Sequence, residues 1–311
     1  MGHGKRASLK ATLQSQQSRL RLKQRAAHAA EVAELKGKRK SHGARKAKAP
    51  ARQPTVPFKP TDKILLIGEG NFSFTRALLI EPPSALEHLP PANVTATSYD
   101  SEEQCYAKYP GAQEIIQVIK GRGAEVIFGV DATKLQKHTV LKGRRWDRIV
   151  WNFPHAGKGI TDQSRNILSN QRLILEFLRS APHCLALGSI PDVRPHRQRK
   201  KQAHEDEDES SKSDVGDSDA EFKGRGTVLI TLRNVAPYTT WNIPQLAKTP
   251  PKPSIISELP YARYRLLRSF VFHRGLWKGY EHRMTKGERA HGQGKTGEGG
   301  EDRTWEFCLQ D

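Results

Sequence analysis

The chain has 311 residues, a net charge of +19 and a hydrophobic content of only 36%, so part of it is not expected to belong to a packed core. Its aliphatic runs are far shorter than the roughly 20 residues of a membrane-spanning helix, and no apolar segment of a secretory signal follows the charged N-terminus. The three cysteines are isolated in the sequence, which argues against a disulfide scaffold or a structural zinc site. We therefore expect no membrane span and no bound metal.

Most of the positive charge lies at the N-terminus. Residues 1–52 contain 15 Lys and Arg and only two acids, a net charge of +13. Such a segment does not fold alone and is suited to neutralising the phosphates of a nucleic acid. We predict a disordered basic arm over residues 1–57, in which Lys36–Lys40 is a nuclear or nucleolar targeting cluster. The alternative is a solvated tail that only aids solubility.

Two further stretches have a biased composition. Residues 193–225 begin with basic side chains and continue with nine acids among serines, a pattern typical of a disordered charged insertion. Residues 283–302 are rich in glycine and charge and predict a flexible loop. The rest of residues 58–311 is expected to form one folded domain.

Within that domain, short apolar runs alternate with helical stretches. The predicted strands are Lys63–Ile67, Val94–Tyr99, Glu125–Phe128, Trp146–Trp151, Thr227–Leu232, Tyr264–Phe272 and Thr304–Leu309. The predicted helices are Phe72–Ile80, Ala112–Lys120, Asp162–Ser180 and Thr239–Lys248. This alternation predicts an α/β fold with a mostly parallel seven-stranded sheet covered by helices on both faces. The last two strands have no long helix between them and are expected to form an antiparallel edge.

Ligands of such sheets bind at the carboxyl ends of the strands, and the loop after the first strand has the pattern G-x-G-x-x-S. Its residues are Gly68, Glu69, Gly70, Asn71, Phe72 and Ser73. Glycine allows a tight turn and close approach of a ligand to the backbone, although the third glycine of the dinucleotide-binding pattern is missing. We predict a nucleotide-type ligand here; an ordinary strand–helix turn is the alternative.

Acidic residues follow the next two predicted strands. Asp100 lies 32 residues beyond Gly68 and is placed to accept hydrogen bonds from two ribose hydroxyls; alternatively it caps a helix, with Glu103 at the offset of a capping box. Asp131, next to Ala132, is placed to accept a hydrogen bond from an adenine amino group, or else it only begins a turn.

The fourth predicted strand is followed by Asn152, Phe153, Pro154 and His155. The Asn152 carbonyl, held beside a turn stiffened by proline, can accept from a planar N–H group. Phe153 offers a face on which a flipped base can stack. The His155 imidazole, largely neutral at physiological pH, can accept a ring proton. The alternative is that Phe153 belongs to the core and His155 is a surface residue.

These motifs together carry a family resemblance. Residues 64–74, 97–100 and 146–155 resemble the fungal 25S rRNA (uridine-N3)-methyltransferase family, whose Rossmann-like relatives include proteins fused to a ferredoxin-fold anticodon-binding domain. The resemblance covers residues 58–192 and resumes at 228–232, and Tyr280–Gly287 resembles the family's late tyrosine–histidine–arginine motif.

The resemblance implies a class I methyltransferase fold with S-adenosylmethionine as donor and large-subunit rRNA, in a pre-60S particle, as substrate. Gly68–Ser73 would then hold the methionine end of the donor, Asp100 its ribose, and Asp131 with Ala132 its adenine. The catalytic turn Asn152–His155 would face the target base, and Asn152 also borders the donor. It departs from the Asn-Pro-Pro-Tyr motif of amino-methyltransferases. We further expect a monomer located in the nucleus and nucleolus.

Two other functions stay open at this point. An NAD-dependent oxidoreductase shares the glycine loop and the ribose-binding acid, but it leaves the basic arm and the Asn152–His155 turn unexplained. A non-catalytic ribosome-assembly protein with a retained donor pocket accounts for both features. Methylation of a uracil at C5 is disfavoured, because no cysteine directly follows a predicted site strand.

Overall fold

The computed structural model describes residues 53–191, 224–252, 260–285 and 300–310. Residues 1–52 of the predicted arm, almost all of the predicted insertion and most of the predicted late loop lie outside these ranges. The predictions of disorder for those segments therefore stay predictions. In the described part of the chain, no helix combines the length and the apolar character needed to cross a membrane.

Seven strands form one sheet in the order β3-β2-β1-β4-β5-β7-β6. They are β1 (Ile64–Ile67), β2 (Val94–Thr97), β3 (Glu125–Ile127), β4 (Arg148–Asn152), β5 (Thr227–Arg233), β6 (Tyr264–Val271) and β7 (Asp302–Leu309). The first five strands pair in parallel, and β7 lies antiparallel between β5 and β6. The order is that of a Rossmann-like sheet extended by the antiparallel pair of a class I methyltransferase, which confirms the predicted fold class.

Helices cover both faces of the sheet. They are α1 (Ser73–Ile80), α2 (Glu102–Lys108), α3 (Ala112–Gly121), α4 (Gln163–Ser180) and α5 (Ile243–Lys248). Short 3₁₀ segments, including Ala132–Lys137 and Tyr238–Trp241, complete the connections. The described strands and helices agree with the predicted ones except for α2, which the sequence did not predict, and the segment around α5.

The central strand β1 is buried along its whole length. Leu65 and Ile67 belong to the apolar core on one face, together with residues of α4 such as Phe177. Ile64 and Leu66 belong to the core on the other face, with residues of α1 and α3. A strand buried on both faces reads as a continuous aliphatic run, which is why the sequence identified it. Each such side chain contributes about 1.5–3 kcal/mol when it is fully buried.

The predicted helix over Thr239–Lys248 is two elements. The 3₁₀ segment Tyr238–Trp241 ends at Asn242, which adopts a left-handed conformation with φ of 47°. Pro244 then lies in the first turn of α5, a position where its missing N–H costs no hydrogen bond. The backbone therefore changes direction inside a segment that has an uninterrupted helical pattern.

Candidate active site

A cavity of about 900 Å³ lies at the carboxyl ends of β1, β2 and β4. All the predicted site residues line it except Pro154, which is buried in the turn and does not line the cavity. The parallel register of the strands brings these residues together, because it places their carboxyl ends at one edge of the sheet. The site therefore collects residues that are up to 87 positions apart, from Gly68 to His155.

The two glycines of the first loop are required by neighbouring protein side chains. Gly68 has φ of +64°, and a Cβ there would lie 3.0 Å from Nε1 of Trp151. A Cβ on Gly70 would lie 3.1 Å from the Tyr109 ring. Glycine at both positions thus lets the loop turn tightly beneath the cavity, and the packing of Trp151 and Tyr109 depends on it.

Glu69 turns its carboxylate toward helix α1. Its Oε2 accepts hydrogen bonds from the hydroxyl of Thr75 at 2.6 Å and from the backbone N–H of the same residue at 3.2 Å. Burial raises the pKa of Glu69 to about 7, and the hydrogen bonds from Thr75 offset only part of this rise. The residue lines the cavity and also satisfies a free N–H in the first turn of the helix.

Asn71 and Ser73 direct their polar groups to Glu281. The side-chain amide of Asn71 donates to Oε2 of Glu281 at 3.3 Å, and the hydroxyl of Ser73 bonds to both backbone groups of Glu281. Between them, Phe72 is fully buried and packs edge-to-face on Phe128, with ring centroids 5.7 Å apart. These three side chains hold the loop, and its backbone and Glu69 remain available to a ligand.

Asp100 is mostly buried and pairs with the ammonium of Lys108 at the end of α2. Both residues line the cavity. The proposed alternative, in which Asp100 caps the helix with Glu103, is wrong. The cap is Ser101, whose hydroxyl accepts from the backbone N–H of Gln104 at 3.3 Å in a complete capping box. Asp100 is thereby left facing the cavity.

Asp131 has the structure of a turn-starting residue and lines the cavity as well. Its Oδ1 accepts from the backbone N–H and the hydroxyl of Thr133, at 2.9 and 2.7 Å, and Lys134 lies 3.2 Å from Oδ2. Burial by itself raises the pKa of Asp131, but the bonds from Thr133 and the charge of Lys134 outweigh it and lower the pKa. The carboxylate thus caps the 3₁₀ segment, and Ala132 lies buried beside it.

Asn152 ends β4 at the wall of the cavity. Its Oδ1 is buried and accepts no hydrogen bond from any described residue, so the NH₂ group is the part of the amide that can meet a ligand. Phe153 follows with a positive φ of 53°. Its ring lies 4.3 Å from that of His282, and the guanidinium of Arg274 lies 5.2 Å from its centroid. Phe153 is therefore partly covered by protein rather than a free stacking platform.

The imidazole of His155 has a defined tautomer. Its Nδ1 accepts a hydrogen bond from the backbone N–H of Gly157 at 2.9 Å. Because an N–H can only donate, Nδ1 is unprotonated, and in the neutral ring the proton is on Nε2. His155 thus presents a hydrogen-bond donor through Nε2, which is the opposite of the acceptor that the sequence suggested.

A segment that sequence reasoning left out of the site lines the cavity as well. Tyr280, Glu281, His282, Arg283 and Thr285 all contribute to its wall, and the hydroxyl of Tyr109 donates to the Met284 carbonyl at 3.1 Å. The signal was present in the late tyrosine–histidine–arginine motif, but nothing local in the sequence indicates its contacts. The predicted flexible loop accordingly begins after residues that contact the site.

His282 is kept uncharged in this wall. Burial, together with the nearby guanidinium groups of Arg274 and Arg233, lowers its pKa to about 4. The ring is therefore neutral at physiological pH and carries one nitrogen that can accept a hydrogen bond. Its Nδ1 lies 3.5 Å from the hydroxyl of Tyr280.

The chemistry of metals and thiols finds little support at the site. Within the described ranges, no cluster of His, Cys, Asp or Glu is arranged to hold a metal ion. The three cysteines are buried as free thiols. Cys105 lies nearest the donor loop, with Sγ 3.3 Å from the Gly70 carbonyl, and burial with the charges of Asp100 and Glu102 raises its pKa to about 11. It is a poor nucleophile in this state.

Comparison with known protein families gives a match to the BMT5-like family, described as rRNA (uridine-N3-)-methyltransferase BTM5-like, over residues 65–284. The match spans the strands, the cavity loops and the late wall segment. The chain belongs to this family. The predicted family resemblance and the prediction of an rRNA (uridine-N3)-methyltransferase are thereby confirmed at the level of the family.

Individual relatives share parts of this region. The chain is 29% identical over 254 residues to the 25S rRNA (uridine(2634)-N(3))-methyltransferase of Saccharomyces cerevisiae, covering 75% of this chain and 69% of the yeast protein. It is 28% identical over 233 residues to heavy metal-associated isoprenylated plant protein 41 of Arabidopsis thaliana, covering 75% of this chain but 35% of that protein. A mouse ferredoxin-fold anticodon-binding domain-containing protein 1 homolog is 36% identical over 40% of this chain and 18% of its own length.

Among solved structures, the 16S rRNA (adenine(1408)-N(1))-methyltransferase from Catenulisporales acidiphilia aligns with 80% of this chain and 88% of its own. The TM-score is 0.33 and the sequence identity 9%. At this level of similarity the strand order itself, rather than the alignment, identifies the fold class.

Proposed function

We propose that the protein transfers a methyl group from S-adenosylmethionine to N3 of a uridine in large-subunit rRNA. The observation that carries this proposal is the single cavity of about 900 Å³ that joins the Gly68–Ser73 loop, Asp100 and Asp131 to the Asn152–His155 turn. Membership of the BMT5-like family supports the reaction class, and the yeast relative supports the choice of the large-subunit RNA.

The donor half of the cavity fits an adenosyl group with an amino-acid tail. The volume is at the upper end of the range for small-molecule pockets, which leaves room for both a nucleoside donor and a target base. The backbone of Gly68–Ser73 would hold the methionine end, Asp100 with Lys108 the ribose, and the Asp131–Ala132 turn the adenine. When bound, S-adenosylmethionine supplies the methyl group and, as a sulfonium, its own leaving group.

The acceptor half has to orient a uracil and receive a proton from N3. The Asn152 NH₂ and the His155 Nε2–H are donors, and each suits a uracil carbonyl oxygen. Phe153 limits the plane of the base from one side. The neutral His282 on the far side of Phe153 offers a nitrogen acceptor for the N3 proton, so we assign that role to His282 in place of His155.

Replacing each histidine separates these two roles. His282→Ala is expected to lower kcat by about 10²-fold, the usual size of the loss when a proton acceptor is removed. His155→Ala is expected to act mainly on KM for the RNA. The affinity for S-adenosylhomocysteine, measured by calorimetry, serves as the control for folding in both variants. Full turnover by His282→Ala with intact donor binding would rule out the assignment.

The cellular setting completes the proposal. A modification enzyme of large-subunit rRNA acts in the nucleus, with the nucleolus and the pre-60S particle as its expected place and partner. The net charge of +13 in residues 1–52 supports both nuclear targeting and RNA contact. We propose that the protein acts as a monomer.

Ligand binding separates the methyltransferase from the dehydrogenase. Calorimetry of the full chain with S-adenosylhomocysteine is expected to give a one-to-one complex of micromolar or tighter affinity, whereas NAD is expected to give no heat of binding. Tight binding of NAD alone would contradict the proposal. The scaffold alternative is tested by Gly70→Arg, which we expect to abolish methylation because the side chain would displace Tyr109.

A further inference from the structure

The loop after the catalytic turn is fixed to helix α4 by two asparagines. Asn170 is buried, and its Oδ1 accepts a hydrogen bond from the backbone N–H of Ala156 at 2.8 Å. Its Nδ2 donates to the carbonyl of Asn166 at 2.9 Å, and the Nδ2 of Asn166 donates to the carbonyl of Ile160 at 3.1 Å. Both ends of residues 156–160 are therefore held against the first turns of α4.

This attachment gathers three cations at one side of the cavity. Lys158 is exposed in the middle of the loop and lines the cavity, as does Arg172 on α4. Arg165 lies seven positions before Arg172, two helical turns away and on the same face of the helix. We name this set, Lys158, Arg165 and Arg172, the α4 rim.

The rim cations differ from those at the donor end. Lys108 pairs with Asp100 and Lys134 with Asp131, so the donor end is close to neutral. By contrast, none of the three rim side chains forms an ion pair with another described residue. An unpaired cationic row beside the acceptor turn is an attractive surface for an anionic polymer.

The two acids nearest the rim are already engaged. Asp162 caps α4 by accepting from the backbone N–H of Arg165 at 2.7 Å. Glu176 pairs with Arg179, and its Oε1 accepts from the hydroxyl of Tyr261 at 3.0 Å. Their hydrogen bonds direct both carboxylates away from the role of neutralising the rim, so its charge stays available to a ligand.

We propose that the α4 rim binds the phosphates of the RNA strand that flanks the target uridine. The inference rests on the proposed function, since it assumes an RNA substrate in the same cavity. Phosphate contacts fix the position of a nucleic acid and carry no sequence information. The rim would thus hold the strand in register while the base enters between Asn152 and His282.

The test compares two full-length variants of equal charge change. The rim variant carries Lys158→Gln, Arg165→Gln and Arg172→Gln. The control carries Arg122→Gln and Lys142→Gln, two exposed cations at the opposite edge of the sheet. Binding of a fluorescent single-stranded fragment of large-subunit rRNA is measured by anisotropy at several salt concentrations, and S-adenosylhomocysteine binding by calorimetry.

The rim variant is expected to bind the RNA about tenfold more weakly at moderate salt. The slope of log Kd against log salt is expected to fall by about 2, since each phosphate contact to a single strand contributes about 0.7. Donor affinity should be unchanged, and the control variant should keep the slope of the wild type to within about one contact. The basic arm is present in every protein and cancels in the comparison.

Three results would overturn the inference: an unchanged slope in the rim variant, an equal loss in the control, or a loss of donor affinity caused by the rim substitutions. Because the readout is RNA binding rather than turnover, it is separate from the proposed reaction. A wild type that binds RNA through the rim but methylates nothing would contradict the proposed function and leave the rim assignment standing.

Discussion

The hydroxyl of Ser73 makes two hydrogen bonds to Glu281, a residue 208 positions further along the chain. It accepts from the Glu281 N–H and donates to the Glu281 carbonyl, each at 3.0 Å. Because Ser73 opens helix α1 directly after the donor loop, this contact joins that loop to the late wall of the cavity. The donor loop is therefore shaped by a distant segment as well as by its own glycines.

Replacing Ser73 with Ala tests this connection. The change leaves two buried backbone groups of Glu281 without partners, at a cost of about 1–3 kcal/mol, and we expect roughly tenfold weaker binding of S-adenosylhomocysteine. Calorimetry measures the effect, and Ser164→Ala, at an exposed position in the first turn of α4, is the matched control. Equal donor affinity in Ser73→Ala and the wild type would show that the late segment does not support the loop.

Gly68 and Gly143 separate backbone strain from a local clash. Both have positive φ, +64° and +78°, but only a Cβ on Gly68 meets another side chain, 3.0 Å from Trp151 Nε1. Alanine at either position costs about 1–2 kcal/mol of stability through the left-handed backbone. We expect Gly68→Ala alone to lower donor affinity as well, as measured by calorimetry beside urea unfolding. A similar loss of donor binding in Gly143→Ala would trace the effect to general destabilisation.

Glu69 predicts a pH dependence of stability. Its folded-state pKa of about 7 lies above the ordinary value of 4.5, so the folded protein binds more protons than the unfolded chain between these two values. The contribution of this group to the free energy of unfolding is therefore present in full below pH 4.5 and is lost as the pH rises through 7. Glu69→Gln keeps an acceptor for Thr75 but does not titrate.

The measurement for Glu69 is the difference in unfolding free energy between wild type and Glu69→Gln, taken from urea denaturation between pH 4.5 and 7.5. Other titrating groups cancel in this difference. The wild type is expected to lose stability relative to the variant as the pH rises across this window. A difference that stays constant with pH would mean that the carboxylate is not protonated in the folded state.

Cys105 is expected to be dispensable for the reaction. Its thiol is buried behind the donor loop with a pKa raised to about 11, so it does not supply the nucleophile that methylation at C5 would require. Cys105→Ala should reduce stability by about 1 kcal/mol through lost packing and retain turnover to within about threefold. Loss of turnover with normal folding and donor binding would point to thiol chemistry at the site.

The parts of the fold that depend on local pattern were predictable from the sequence. The strand β1 reads as a buried strand because both of its faces are covered, and α4 shows a helical apolar face. Helix α2 was missed because its seven residues bury only Cys105, so no apolar period marks it. The break at Asn242 was missed because a left-handed residue leaves no mark on a helical pattern.

The candidate site was predictable to the same extent. Strand ends identify Asp100 and Asn152, because parallel strands bring their carboxyl ends to one edge. The tautomer of His155 depends on the N–H of Gly157, and the neutral state of His282 depends on Arg274 and Arg233. These are contacts of the folded chain, and residue types alone do not encode which histidine donates and which accepts.

The most direct test of the proposed reaction is nucleoside mass spectrometry of large-subunit rRNA after incubation with the purified protein and S-adenosylmethionine. The RNA is taken from cells that lack the protein, and Gly70→Arg serves as the inactive control. We expect the wild type to form 3-methyluridine and the Gly70→Arg variant to form none. An unchanged nucleoside profile, or a methyl group on C5 or the ribose instead of N3, would contradict the proposed function.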